Sequence, residues 1–148
     1  MSLAIVYTRA ALGIEAPLIT VEVHLSNGLP GLTMVGLPET TVKEARDRVR
    51  SALINSGYAF PAKKITINLA PADLPKEGGR YDLPIALALL VASEQLNTTR
   101  LNQYEFVGEL ALTGGLRGVP GAIPSAMEAI KAGRRIVVSS DKIGRAHV

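Results

Sequence analysis

Residues Leu74 to Val91 read LPKEGGRYDLPIALALLV, joining a charged, glycine-bearing loop directly to the most apolar helix of the chain. Gly78 and Gly79 let the backbone turn sharply and approach a neighbour closely. Asp82 stands where a helix N-cap belongs, with Pro84 in the first turn, where its missing N–H costs nothing. From Leu83 to Ala92 every residue is apolar, and a helix apolar on all faces belongs inside a domain. The loop is therefore held on a rigid floor, and Lys76, Arg80 and Asp82 are its candidate functional or capping side chains.

The rest of the chain frames this stretch. With 148 residues and 47% hydrophobic content, one domain with a proper core is expected. No run approaches the roughly 20 apolar residues needed to cross a bilayer, and no basic residue precedes the first apolar stretch as in a secretory signal. A cytoplasmic protein without a membrane partner is the expectation. The absence of cysteine and the presence of only two histidines argue against disulfides and a metal site. A formal charge of +3 permits a polyanionic partner without requiring one.

Upstream, Ala4 to Thr8 is a short apolar, β-branched run. Ile19, Val21, Val23 and Leu25 then alternate with Thr20, Glu22 and His24, which predicts a half-buried strand. His24 has no second histidine or carboxylate at a useful spacing and is read as a solvated strand residue. Asn27 to Gly31 turns the chain into a third strand, Leu32 to Val35. Thr41 with Glu44 in capping-box spacing predicts the start of a helix that Gly57 closes. Its apolar stripe is Val42, Ala45, Val49, Ala52 and Leu53, and Lys43, Arg46, Arg48 and Arg50 make its outer face basic. Arg46 and Arg50 lie four apart and share a face, whereas Arg48 points elsewhere. Ile65, Ile67 and Leu69 alternate with Thr66 and Asn68 in a further strand.

Beyond the apolar helix, Phe106 to Leu110 with Leu112 reads as one strand, turned by Gly114 and Gly115. Ile123, Met127 and Ile130 form the stripe of a third helix expected to pack on the sheet, with Gly133 at its end, and Ile136 to Ser139 reads as a last strand. The order βββ, α, β, α, β, α, β gives an α+β architecture, a mixed sheet with helices packed on it.

The segment VEVHLSNGLPGLTMVGLPETTVKEARDRVRSALINSGYAFPAKKITINLAPADLPKEGGRYDLPIALALL, Val21 to Leu90, resembles the N-terminal domain of the ComM/YifB family of magnesium-chelatase-like AAA+ ATPases. The resemblance implies a ribosomal protein S5 domain 2-like, Lon protease-like fold for residues 1–142, preceding an AAA+ module absent from this chain. It further implies a hexameric DNA helicase acting in branch migration during natural transformation, with ATP and Mg2+ bound by that missing module and DNA, branched or single-stranded, as the partner. The alternative is a chelatase-type or protein-remodelling ATPase with a protein partner.

Because Lon-type domains include serine–lysine peptidases, the site residues have to decide. A Lon-type active loop resembles PKDGPSAG, whereas this chain has Pro75-Lys76-Glu77-Gly78-Gly79-Arg80-Tyr81-Asp82, without the serine. Ile123 falls near the position of the general-base lysine and cannot take a proton. A hydroxyl nucleophile needs a base within reach, so an active peptidase is the weakest reading and no catalytic residue is assigned. No Gly-x-x-x-x-Gly-Lys-Ser/Thr phosphate loop occurs either, so no cofactor-binding residue is expected here. Arg46, Arg50, Lys76 and Arg80 are the candidate DNA or subunit contacts, and Gly78, Gly79 and Asp82 the structural loop and cap. Ile143 to Val148 resembles a sequencing adapter translated in frame and is read as a non-native tail.

Overall fold

A computed structural model describes residues 2–76 and 78–140. The reading of Ile143 to Val148 as a tail lies outside the described residues. Strands β1 (Leu3–Arg9) and β2 (Leu18–Ser26) form an antiparallel hairpin in which Val6 faces Val21. β2 continues into β4 (Lys64–Ala70), again antiparallel, with Val21 opposite Leu69. The alternation seen in the sequence is the cause: Ile19, Val21, Val23 and Leu25 are buried with Ile65, Ile67 and Leu69, while Glu22 lies on the other face and accepts a 2.8 Å hydrogen bond from Asn68. His24 is exposed, as read.

β3 (Gly31–Val35) runs parallel to β4, linked to it by helix α1 (Glu39–Asn55). Helix α2 (Asp82–Ala92) lies across β1 and β2 beside α1, buried along most of its length. A short helical turn, Leu101–Gln103, leads into β5 (Tyr104–Phe106), parallel to β1. After the small hairpin β6 (Glu109–Leu110) and β7 (Leu116–Arg117), α3 (Ala122–Lys131) returns the chain to β8 (Arg135–Val137), parallel to β5. Among the described residues the mixed sheet has six strands in the order β3-β4-β2-β1-β5-β8. The architecture is α+β, as expected. Among the described residues no helix is long and apolar enough to cross a membrane.

Four local expectations are corrected. α1 begins at Glu39 rather than after a Thr41 cap: Pro38 is the N-cap, with φ −58°, and no side chain caps the helix. The Pro38 carbonyl accepts the first helical bond, from the Val42 amide at 3.0 Å, because proline fits at the start of a helix but not within it. Asp82 is not a cap either. Tyr81 holds that position and Asp82 is the first helical residue. The run from Phe106 to Leu112 is divided between two sheets: the Val107 amide still bonds the Val137 carbonyl of β8 at 3.0 Å, and the chain leaves the large sheet at Gly108, whose amide donates to the Arg80 carbonyl at 3.0 Å.

The fourth correction concerns α3, whose stripe of Ile123, Met127 and Ile130 faces away from the domain while Ser125 and Ala129 are buried. The space beneath the helix is occupied by two arginines. Arg9 donates to the Glu128 carbonyl at 3.3 Å, and Arg80 donates to Ser125 Oγ at 3.3 Å. Only small residues let a helix backbone come that close, so the large apolar side chains are turned outward.

Candidate functional site

The central loop is an internal anchor. Lys76 is 4% exposed and Arg80 5% exposed. Lys76 Nζ donates to the carbonyls of Pro71 and Leu74, so the loop closes on its own ammonium. Arg80 donates from Nε to the Arg9 carbonyl at 2.9 Å and from Nη1 to the Pro120 carbonyl at 2.7 Å, in addition to Ser125. It thereby joins the end of β1, the start of α3 and the loop before it. Burial lowers the pKa of both cations from their ordinary values. The expectation that Lys76 and Arg80 meet DNA or another subunit is corrected: both are withdrawn from the surface, and their donors are committed to carbonyls and a hydroxyl of the same domain.

Gly78 takes a left-handed φ of +77°. A Cβ on Gly79 would overlap the carboxylate end of Glu109, so the second glycine permits the β6 strand to lie against the loop. The Asp82 carboxylate accepts from Arg48 Nε at 2.6 Å, from Arg48 Nη2 at 3.2 Å and from the Leu110 amide at 3.1 Å. Burial pushes its carboxyl up to about 6, against the opposing pull of Arg48 and the Leu110 amide. Arg48 is raised in turn, chiefly by its hydrogen bond to Asp82.

Above this loop lies a cleft of about 420 Å³, whose lining includes Leu12, Gly78, Gly79, Arg80, Tyr81, Glu109 and Pro120. No serine, threonine, histidine or lysine is among its lining residues, and Ile123 is not among them. Glu109 supplies a carboxylate with no serine or threonine hydroxyl beside it to activate, so the cleft holds no peptidase-type nucleophile–base pair. Among the described residues no cluster of three or more histidine, aspartate or glutamate side chains is placed to hold a metal ion.

The exposed cations gather elsewhere. A groove of about 660 Å³ runs between the outer face of α1 and the start of β3 and β4, lined by Arg46, Asp47, Arg50, Phe60, Lys63 and adjoining apolar residues. The guanidinium of Arg50 sits 5.6 Å from the centre of the Phe60 ring, which fixes its orientation through cation–π attraction. Arg46 approaches Asp47 at 3.6 Å, with both side chains solvated, a pairing worth little. Three cations against one acid leave the groove positive. Arg48, read from the sequence as part of the basic outer face though pointing away from the Arg46–Arg50 pair, instead turns inward to Asp82.

One cluster was missed from the sequence. Glu105 is fully buried and receives Arg9 through two bonds, at 2.7 and 2.8 Å, and Arg134 Nε at 2.9 Å. The Arg134 guanidinium also lies 4.3 Å from the centre of the Tyr7 ring. The partners are 96 and 29 residues from Glu105 in sequence, beyond any local pattern. The one signal was a glutamate inside the apolar run Tyr104-Glu105-Phe106-Val107.

The family described as subunit ChlI of Mg-chelatase matches residues 21–142. The chain is 81% identical to the Escherichia coli K12 protein named YifB, over 95% of this chain and 28% of that protein. It is 63% identical to the competence protein ComM of Haemophilus influenzae, over 99% of this chain and 29% of that protein. A Mycobacterium bovis relative is 37% identical over 99% of this chain and 29% of that protein. The chain thus spans somewhat over a quarter of the length of the curated relatives it matches. By this match it belongs to the magnesium-chelatase-like ComM/YifB family.

Proposed function

We propose that this chain is the non-catalytic N-terminal domain of a magnesium-chelatase-like AAA+ ATPase that works on DNA, and that its groove of Arg46, Arg50 and Lys63 meets the phosphate backbone. The groove carries the reading. It combines exposed cations with an aromatic ring, and Arg50 is held ready rather than free; phosphate contacts of this type supply most of the sequence-independent affinity for nucleic acid. The relative named as a competence protein supports a part in handling DNA. In this reading the domain has the ribosomal protein S5 domain 2-like fold. The full-length protein assembles as a homo-hexamer in the cytoplasm and promotes branch migration, with ATP and Mg2+ bound outside these residues. The central loop serves as the structural keystone of the domain.

The test is the affinity of the full-length protein for forked DNA and for linear duplex across a salt series. Preference for the fork with a steep salt dependence supports the reading. Equal, salt-independent and weak binding to both overturns it in favour of a chelatase-type or protein-remodelling ATPase whose partner is a protein.

A further inference from the structure

α3 buries its small residues and displays its large ones. Ile123, Met127 and Ile130 are 62%, 54% and 71% exposed, and their spacing of four and three residues aligns them in one stripe. Among the described residues the stripe is left largely outside the packing, because the arginine-filled space below the helix takes in Ser125 and Ala129. A contiguous apolar strip on the surface marks a contact site. The helix packs beside β8, which among the described residues is the end strand of the sheet, paired with β5.

We infer that the outer stripe of α3 is the seat of the polypeptide that continues this chain beyond residue 142 in the full-length protein, which packs an apolar surface against Ile123, Met127 and Ile130. The inference rests on the reading of this chain as one domain of a longer protein, and not on DNA binding. Three observations select this occupant. The relatives are more than three times as long as the region matched. The last described residue, Ser140, lies three residues beyond β8, the strand that packs beside α3, so a segment continuing the chain is tethered to that strand and acts at the high effective concentration of a short tether. On α3 itself the charges balance, with Lys131 Nζ 3.1 Å from Glu128 Oε2, so the helix that carries the stripe adds no net charge to attract a polyanion.

Met127 supplies a direct probe, because an exposed thioether is oxidised by peroxide and a covered one is protected. Met34, 9% exposed in the core, is the internal control. Peroxide oxidation of Met127, followed by mass spectrometry, should be about tenfold slower in the full-length protein than in the 148-residue chain, with Met34 slow in both. In the full-length protein, Ile123→Ser with Ile130→Ser should restore fast oxidation of Met127, while the same pair should leave the melting temperature of the 148-residue chain unchanged. Equal Met127 rates in the two wild-type proteins overturn the inference. So does protection that appears in the 148-residue chain as its concentration rises, which assigns the stripe to a second copy, or protection that appears only on adding duplex DNA.

Discussion

Arg48 on α1 and Asp82 at the first position of α2 form the ion pair that locks the two helices together, with Nε 2.6 Å from Oδ2 and the carboxylate almost wholly buried. The same carboxylate holds the Leu110 amide, so the hairpin of β6 and β7 is docked on the pair as well. Removing the Arg48 guanidinium leaves a buried charge alone. Arg48→Gln should therefore destabilise the fold by about 3 kcal/mol, measured by denaturant unfolding at neutral pH. A loss below about 1 kcal/mol would show that water already reaches Asp82.

The pH dependence of that pair has a definite sign. Burial raises the Asp82 carboxyl from an ordinary 3.8 to about 6, so between those values the folded state holds a proton that the unfolded chain has released. Stability contributed by this group is present below the lower value and is lost as pH rises through the upper one. The stability of wild type relative to Asp82→Asn should fall by on the order of 3 kcal/mol between pH 4 and pH 7. A difference that instead grows with pH would show that attraction to Arg48 outweighs burial.

In the basic groove, Arg46→Gln with Arg50→Gln should weaken the binding of full-length protein to forked DNA. The slope of log affinity against log salt should drop by about 0.9 for each phosphate that is no longer neutralised. Both side chains are exposed, so melting should shift little. If affinity and slope persist while hexamers disappear on a sizing column, the groove is a subunit contact.

Two glycines separate local strain from collision. Gly36 has φ +98°, and a Cβ there would sit on the Leu69 carbonyl oxygen of β4, so Gly36→Ala should cost about 3 kcal/mol of unfolding free energy. Gly13 has φ +63° with open space around it, and Gly13→Ala should cost about 1 kcal/mol. Equal losses would mean that the β4 backbone moves aside.

The 148-residue chain should neither cleave casein nor release phosphate from ATP above a heat-inactivated control. The cleft over Gly78 and Gly79 offers no serine, threonine or lysine, and the chain has no phosphate loop. Turnover in either assay, retained after affinity and ion-exchange purification, would refute this.

What could be read from the sequence was whatever repeats within a few residues. The alternation from Ile19 to Leu25 and the unbroken apolar run of α2 marked burial directly, and the spacing of Arg46, Arg48 and Arg50 set Arg48 apart from the other two without showing that it turns inward to Asp82. The periodicity of α3 identified its stripe correctly but not its direction, because a period groups residues on a face without naming what that face meets. The answer lay in Arg9 and Arg80, far along the chain from their partners on α3. Lys76 and Arg80 resembled a surface patch for the same reason. Their acceptors are chiefly carbonyl groups, which every residue carries and no side-chain pattern reports.

The burial of Glu105 has a consequence for how the molecule comes apart. Backbone pairing joins β1 to β5 through a single register pair, Tyr7 with Glu105, so the ladder alone would leave β5, α3 and β8 as a weakly attached subglobal unit. Glu105 draws Arg9 from β1 and Arg134 from the turn before β8 onto one carboxylate. It thereby makes a single cooperative foldon of two, and native-state amide exchange of Glu105→Gln should show β8 and α3 opening well below the free energy of global unfolding.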